Sequence, residues 1–412
     1  MTEYLSEHSY QAVEQTLQRR LEENPPTRLQ LLVGPRQVGK TTLLLELEER
    51  HKSQAIYASA DVPEAALPSW ADGVWRQALE RARREPAILL IDEIQYLPQW
   101  SRWLKARFDE VRRKRIPLHV VVTGSSSLSI GTGAKETMAG RFERLTLTHW
   151  GAADLMKLLR VSGDIAPERI VSHGGYPGAV AYWNDTARWR SYLRDSVIEP
   201  AIGRDILQME VVRKPALLRQ LFALATAHPA EILSLEKIAG LLAEKGALET
   251  LAHYLELLTD AFLVAGLQRY AGDEIRRRRS PPKLVVLNNA LLAGSRALPP
   301  PQALGNPSEW GRWLENACLA HAFNAGQEVF YWREEPWEVD ALIRGSWGQW
   351  LLEVKSGDYG LADLRGLAQA AAKFPRFLPM VICDPHKESA AIAAGFKAIS
   401  WHDYLRDGLH AR

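Results

Sequence analysis

The sequence predicts an α/β protein of several domains, and three features carry that prediction. Over the first 150 residues, short strands that are apolar throughout alternate with helical stretches, as in a parallel sheet buried on both faces. A glycine-rich loop, GPRQVGKT, stands between one such strand and a helix. Towards the other end, EVDALIRGSWGQWLLEVKSG (residues 338–357) predicts a charged β-hairpin. A chain of 412 residues is also too long for a single hydrophobic core, because domains usually contain roughly 100–200 residues.

Shifts in pattern divide the chain into four predicted domains. Helical periodicity replaces the alternating pattern after residue 150, and the proline-rich ALPPPQALGNPSEW marks a linker. We expect a parallel-sheet core (1–150), a helical lid or connector (151–215), a region of short helices and a hairpin (216–298), and a second α/β domain (299–412).

The composition excludes several classes of protein. Hydrophobic residues make up 46% and charged residues 24%, as in ordinary globular proteins. Because the net charge is only +2, any contact with nucleic acid would have to come from local clusters of basic residues. Cys318 and Cys383 lie in apolar stretches with no nearby thiol, which argues against a disulfide framework. No apolar run approaches the ~20 residues that span a bilayer, and no signal-peptide pattern is present. We therefore expect a cytoplasmic protein with no membrane partner.

The loop from Gly34 to Thr41 predicts an ATP site. It follows the strand LQLLV and opens the helix TTLLLELEER, a context that disfavours a chance glycine turn. Backbone N–H groups of the loop and of the helix N-terminus would point at phosphate oxygens. Lys40 would bridge the β- and γ-phosphates, and the Thr41 hydroxyl would ligate Mg²⁺. The residues expected to bind the nucleotide are Gly34, Pro35, Arg36, Gln37, Val38, Gly39, Lys40, Thr41, Thr42 and Asp92.

An acidic pair predicts hydrolysis at this site. AILLIDEIQ places Asp92 and Glu93 at the carboxyl end of a buried strand, the edge where open α/β sheets bind ligands. Asp92 would hold Mg²⁺ through water, and Glu93 would orient and deprotonate the attacking water. Another strand, HVVVTGSSS, ends in hydroxyls, so Thr123 or Ser125 could contact the γ-phosphate or that water, unless both are plain turn residues. The pair disfavours a small-molecule kinase, because it suits water activation and no acceptor site is visible.

These segments carry a resemblance to a known family. LLVGPRQVGKTTLL, LLIDEIQYLPQW and VVTGSSS…MAGRFERLTL resemble the AAA+ predicted-ATPase family of bacteria and archaea, in which a C-terminal half of unknown function follows the ATPase. The resemblance implies a sensor position at 123–125, which includes Ser125. It also implies that Arg141 is an arginine finger, presented to a neighbouring subunit of a homo-oligomer. A surface arginine at a strand entrance is the alternative for Arg141.

The middle region resembles a winged-helix arrangement, which this family is thought to have at this point. Two helices, LEKIAGLLA and ALETLAHYLELLTDA, precede a hairpin whose tip is AGDEIRRRRSPP. Arg276, Arg277, Arg278 and Arg279 could contact a phosphate backbone without reading its sequence, which makes DNA the expected partner. A solvated charge run is the alternative. Family members usually carry an aspartate after the wing, where this chain has Asn288 and Asn289.

The C-terminal hairpin predicts a metal site. Glu353 and Lys355 lie two apart on one strand, so they share a face, and a hairpin would bring Asp340 to the same edge. This D…ExK pattern resembles the PD-(D/E)xK nuclease superfamily, although Val339 stands where that superfamily often has proline. The resemblance implies a further glutamate on the preceding helix, here Glu315. The expected ligands of Mg²⁺ or Mn²⁺ are Glu315, Asp340 and Glu353, with Lys355 as the catalytic lysine. A hairpin with exposed charges is the alternative.

Together these features predict the fold and two functions. The fold is a P-loop AAA+ parallel-sheet domain, a helical and winged-helix middle, and a restriction-endonuclease-like α/β domain. The first function is a Mg²⁺-dependent ATPase coupled to a C-terminal half that binds DNA and could cleave it. The alternative is a nucleotide-gated switch or scaffold, in which the nuclease-like domain is inactive and docks a partner.

Overall fold

The computed structural model has two compact units, one formed by residues 8–148 and the other by the described residues from 149 onward. No helix in the described part of the chain is both long enough and apolar enough to cross a lipid bilayer. The described residues are 8–124, 140–207, 212–244, 246–271, 280–295, 300 and 305–409.

The first unit is built on a five-stranded sheet in which every neighbouring pair is parallel, in the order β2-β3-β4-β1-β5. Every residue of β1, β3 and β4 is buried, as strands covered by helices on both faces require. The α/β parallel-sheet prediction is therefore confirmed. The strands are β1 (Leu29–Val33), β2 (Ala55–Ser59), β3 (Ala87–Asp92), β4 (Leu118–Gly124) and β5 (Phe142–Thr146).

Among the described residues of this unit, four α-helices connect and cover the strands. The helix before β4 shows why they pack: Trp100, Leu104, Phe108 and Val111 recur at helical spacing and are all buried, while basic residues occupy its last turn. The same core contains Trp75 from the preceding helix. The helices are α1 (Tyr10–Leu21), α2 (Lys40–His51), α3 (Pro68–Ala82) and α4 (Trp100–Lys114).

The second unit begins with helices and a short hairpin. A two-stranded antiparallel ladder follows two short helices, in the order that the winged-helix prediction requires, but the predicted wing tip lies at 272–279, outside the described residues. The helices are α5 (Ala152–Leu159), α6 (Ala166–His173), α7 (Thr186–Tyr192), α8 (Pro215–Ala227), α9 (Leu235–Leu241), α10 (Leu248–Asp260) and α11 (Asn289–Gly294), and the strands are β6 (Val264–Leu267) and β7 (Lys283–Val286).

A second sheet ends the chain, in the order β12-β11-β10-β9-β8. β8, β9 and β10 are antiparallel, whereas β11 and β12 add in parallel to β10. The four residues of β12 pair with β11 and so extend the sheet close to the end of the described chain. The elements are α12 (Pro307–Asn324), β8 (Glu328–Glu334), β9 (Trp337–Gly345), β10 (Gly348–Val354), α13 (Arg365–Lys373), β11 (Leu378–Cys383), α14 (Glu388–Ala393), β12 (Lys397–Ser400) and α15 (Trp401–Asp407).

Two buried asparagines, Asn316 and Asn289, join β7 and α11 to α12, and a third, Asn288, lies beside them. The side-chain amide of Asn316 on α12 pairs with both the N–H and the carbonyl of Val286, and it also donates to the Asn289 side chain. Asn289 donates in turn to the carbonyl of Val171, and Asn288 caps α11. These side-chain amides make hydrogen bonds to buried backbone N–H and carbonyl groups. That role needs no charge, so an asparagine is sufficient at positions 288 and 289.

Candidate functional site

The glycine-rich loop lies between β1 and α2, at the carboxyl edge of the first sheet. Gly39 immediately precedes α2 with φ of +96°, and Gln37 also has a positive φ of 61°. An added Cβ at Gly34 would stand 1.9 Å from the carbonyl oxygen of Leu147, so the loop presses against the segment that follows β5. The fully buried Val38 can offer a ligand only its backbone, whereas Thr42 is exposed on the first turn of α2.

Lys40 lies over this loop. Its side chain is buried, and its ammonium donates to the carbonyl oxygens of Gly34 at 2.9 Å and of Pro35 at 2.8 Å. The cation is therefore held above the backbone that would approach a phosphate, at the N-terminus of α2. Both the ammonium and the helix terminus favour an anion there.

Asp92 ends β3 and is the centre of the hydrogen bonding at this edge. Its carboxylate is buried and accepts from the Thr41 hydroxyl at 2.7 Å, from the Tyr57 hydroxyl at 3.1 Å and from the Thr123 hydroxyl. Burial and the negative Asp92 raise the pKa of Tyr57 to about 12. The structure thus brings together Thr41, Asp92 and Thr123, which the sequence singled out separately. Tyr57 was not predicted, because a tyrosine in a buried strand usually serves packing.

Glu93 follows Asp92 in the left-handed region, with φ of 52° and ψ of 47°. Its N–H donates to the Thr123 hydroxyl at 2.9 Å, and its carboxylate accepts from the side-chain amide of Gln95. Thr123 therefore fixes the backbone of one acidic residue and the carboxylate of the other. The sequence did not single out Gln95, and Ser125 lies outside the described residues.

Arg141 precedes β5 and has a partner within its own chain. Its Nε lies 2.7 Å from the Asp109 carboxylate on α4, and this hydrogen bond raises the pKa of Arg141 above its usual value. The arrangement fits the surface-arginine alternative. The finger role across a subunit interface stays a prediction.

The three carboxylates predicted to bind a metal in the second unit also come together, and a lysine that the sequence did not single out contacts two of them. Glu315 comes from α12, Asp340 from β9 and Glu353 from β10. The ammonium of Lys283, on β7, lies 2.6 Å from Glu315, 3.5 Å from Asp340 Oδ1 and 3.3 Å from the Asp340 carbonyl oxygen. A fourth carboxylate, Glu338, lies 3.7 Å from the same ammonium.

The remaining carboxylate oxygens of this acidic cluster (Glu315, Asp340 and Glu353) differ in their partners. Asp340 Oδ2 accepts from the N–H of Val354 at 2.8 Å, and Glu353 Oε1 accepts from Lys355 at 2.7 Å. Glu353 Oε2 is buried and has no hydrogen-bond partner in the described structure. The cluster therefore has two lysines and one unsatisfied oxygen.

Burial and mutual repulsion shift the titration of these groups. Burial raises the pKa of Glu315 and of Glu353, the charge of Asp340 raises both further, and the neighbouring lysines oppose the shift. Burial by itself would lower the pKa of Lys283, but the charges of Glu315 and Asp340 outweigh it and raise that pKa. The neighbouring carboxylates therefore favour the charged form of Lys283.

The acidic cluster does not fit a divalent ion in this arrangement. Carboxylates are the ligands that Mg²⁺ prefers, but the ion needs them at about 2.1 Å, which would bring it against the Lys283 ammonium. Across the described residues, no three His, Cys, Asp or Glu side chains form a group that could hold a metal. Metal binding by Glu315, Asp340 and Glu353 stays a prediction.

Comparison with family models divides the chain into three matched regions. Residues 26–155 match the model described as an AAA domain. Residues 166–302 and 310–404 match two domains of unknown function, DUF8612 and DUF4143. The match at residues 26–155 supports the AAA+ part of the resemblance, while the nuclease-like part stays a prediction.

Relatives of this chain include two mycobacterial proteins. Uncharacterized protein Rv2008c of Mycobacterium tuberculosis and Mb2031c of Mycobacterium bovis are each 27% identical over 330 residues, covering 79% of this chain and 69% of theirs.

Among solved structures, the chain is similar to the Thermotoga maritima RuvB Holliday junction branch migration motor (18% identity, TM-score 0.35, 63% of this chain and 89% of RuvB). It is also similar to AMPPCP-bound DnaA of Aquifex aeolicus (12% identity, TM-score 0.33, 62% and 89%). TM-scores this low do not establish a shared overall fold.

The contact between the loop and the segment after β5 predicts a stability effect at Gly34. Gly34→Ala should lower the free energy of unfolding by about 1–3 kcal/mol, because backbone must move to admit the methyl group. Gly73→Ala is the matched control, since a Cβ there meets nothing within 4 Å. Chemical denaturation of the two variants measures the difference. Equal stabilities would contradict this loop placement.

Proposed function

We propose that this chain, which contains an AAA domain, binds ATP with Mg²⁺ and hydrolyses it. The observation that carries the proposal is the convergence of Lys40, Thr41, Asp92 and Glu93 at the carboxyl edge of one parallel sheet. Phosphoryl transfer to water requires these groups: a lysine over a glycine loop, a hydroxyl bonded to a buried aspartate, and a glutamate one residue further along the chain.

Each group has a distinct part in the reaction. Lys40 would exchange its loop carbonyls for the β- and γ-phosphate oxygens, which the N–H groups from Gly34 to Thr42 would also bind. Thr41 and Asp92 would hold Mg²⁺, which neutralises charge on the phosphate oxygens when bound. Glu93 would take the proton of the attacking water once its carboxylate leaves Gln95.

Two further residues complete the proposed ATP site. Ser125, the residue that follows β4 in the sequence, would contact the γ-phosphate or the attacking water. Arg141 would stabilise transition-state charge in the site of a neighbouring copy, and it would first have to leave Asp109. An assembly of like subunits is therefore part of this proposal.

Replacing the proposed base separates turnover from binding. Glu93→Gln should retain ATP binding and lower the turnover number by about 10²–10⁴-fold, because an amide cannot accept the water proton. Glu85→Gln, at an exposed position of the same unit, is the matched control for the charge change and should turn over as the wild type does. Steady-state release of phosphate measures both variants. Turnover by Glu93→Gln at the wild-type rate would refute the assignment of Glu93.

The second candidate function is DNA binding by the middle region, proposed as a winged-helix domain at 216–298. The observation in its favour is the element order: helices Leu235–Leu241 and Leu248–Asp260 precede the antiparallel pair β6 and β7. The segment between those strands contains Arg276–Arg279, which would contact phosphates without reading bases.

A charge-matched pair of variants tests this candidate. Changing Arg276, Arg277, Arg278 and Arg279 to glutamine should weaken duplex binding and reduce the slope of log K against log salt by up to about 3–4, at roughly 0.9 per lost phosphate contact. The matched control changes Arg112, Arg113, Lys114 and Arg115, an exposed run at the end of α4. If both variants lost the same amount of duplex affinity, the effect would come from net charge, and the proposed DNA contact by Arg276–Arg279 would be rejected.

The C-terminal region, proposed as a nuclease-like domain at 299–412, has two possible uses. Cleavage of DNA is supported by the order of α12, β8, β9, β10, α13 and β11 and by the meeting of Asp340, Glu353 and Lys355. Docking of a partner by an inactive nuclease-like domain is supported by Lys283, which lies among the carboxylates that a metal would need. We propose the second use, because Lys283 contacts two of the three carboxylates that would have to bind the metal.

A further inference from the structure

Lys283 is a buried cation inside the acidic cluster, and the proposed ATPase does not use it. Only 1% of its side chain is exposed. Its strand, β7, belongs to the middle region, whereas Glu315, Asp340 and Glu353 all belong to the C-terminal one. A cation of one region thus pairs with two carboxylates of another, Glu315 and Asp340.

We infer that the Lys283 ammonium is the resident cation of the acidic cluster and that the cluster therefore takes up no divalent metal ion. The inference is independent of the proposed ATPase activity, since it concerns a cluster in the other compact unit. It assigns Lys283 the electrostatic role that a metal has in a nuclease site: to hold carboxylates of separate elements together.

The contacts of the ammonium support this role. At 2.6 Å the bond to Glu315 is a short charge-assisted hydrogen bond, and Asp340 is within reach through both its carboxylate and its carbonyl oxygen. A divalent ion on the same oxygens would lie against a positive charge in a buried region, where Coulomb repulsion is weakly screened.

Lys283 is held in place by its backbone as well. Its strand pairs with β6 on one side, where Lys283 opposes Leu267, and with a bridge at Ile232 on the other. The neighbouring residue Leu284 donates to the carbonyl of Glu231 at 2.9 Å and accepts from the N–H of Ala230 at 2.7 Å. Strand pairing therefore fixes the backbone of Lys283, and the ammonium could leave the cluster only by rotation of a side chain that is 1% exposed.

The partner carboxylates are equally constrained. Asp340 Oδ2 is fixed by the N–H of Val354, and Glu315 immediately precedes Asn316, whose amide binds the backbone of β7 at Val286. Two neighbouring interactions thus hold β7 against α12: the Asn316 amide on the backbone of Val286, and the ion pair between Glu315 and Lys283. Hydrogen bonds therefore hold the backbone on both sides of the Lys283–Glu315 pair.

Titration of the wild-type protein with Mn²⁺ tests the inference directly. Nucleotide-free, EDTA-treated full-length protein is mixed with millimolar Mn²⁺, and free Mn²⁺ is counted by electron paramagnetic resonance. Asp340→Asn is run in parallel, because any ion at the ATP site would survive that change. We expect the two proteins to bind the same amount. One ion per chain bound by the wild type and absent from Asp340→Asn would overturn the inference.

Removing the ammonium should create the metal site that the wild type lacks. Lys283→Met keeps an unbranched stem without charge, and we expect its unfolding temperature to fall by about 5–15 °C, because buried carboxylates lose their cation. Millimolar Mn²⁺ should restore at least half of that loss and occupy one site per chain. Adding Asp340→Asn to Lys283→Met should abolish the restoration.

The control is Lys373→Met, which removes a lysine that is paired with Glu334 on an exposed part of the same unit. It should shift the unfolding temperature by no more than about 2 °C and should not respond to Mn²⁺. A Lys283→Met variant that is as stable as this control, or that ignores Mn²⁺ while folded, would overturn the inference. If Lys283→Met does not fold, the wild-type titration decides alone.

Discussion

The buried carboxylate of Asp92 is the interaction on which the first unit depends. A carboxylate without partners in the protein interior would be very costly, and here three hydroxyls bind it. Those hydroxyls come from α2 (Thr41), β2 (Tyr57) and β4 (Thr123), so one side chain at the end of β3 ties the loop helix to two other strands. This fixes the position of Lys40 and Glu93 relative to each other, and that relative position is what the proposed chemistry uses.

Two buried lysines show how surroundings decide what a cation does. Lys40 is bonded to carbonyl oxygens of a loop that also presents N–H groups and a helix terminus, so its surroundings favour an incoming anion. Lys283 lies among carboxylates of its own chain, so its charge is used within the fold. The same residue type thus indicates a ligand site in one unit and a closed ion-pair cluster in the other.

The predictable parts of the structure were those carried by contiguous sequence. The loop at 34–41, the acidic pair and the D…ExK hairpin each lie in one short stretch, where strand and helix patterns fix the geometry of neighbouring residues. Lys283 was missed because its partners are 32 or more positions away, at Glu315 and beyond, so no local pattern marks it. Strand β12 has only four residues, too few to show a period in the sequence, and its parallel pairing with β11 is what defines it.

The account depends on ATP binding above Lys40, and equilibrium binding of labelled ATP in Mg²⁺ tests that most directly. It predicts one site per chain in the wild-type protein, and its loss in Lys40→Ala, because the alanine removes the cation that contacts the β- and γ-phosphates. Wild-type protein that retains no ATP, or a Lys40→Ala variant that binds it as tightly, would contradict the account.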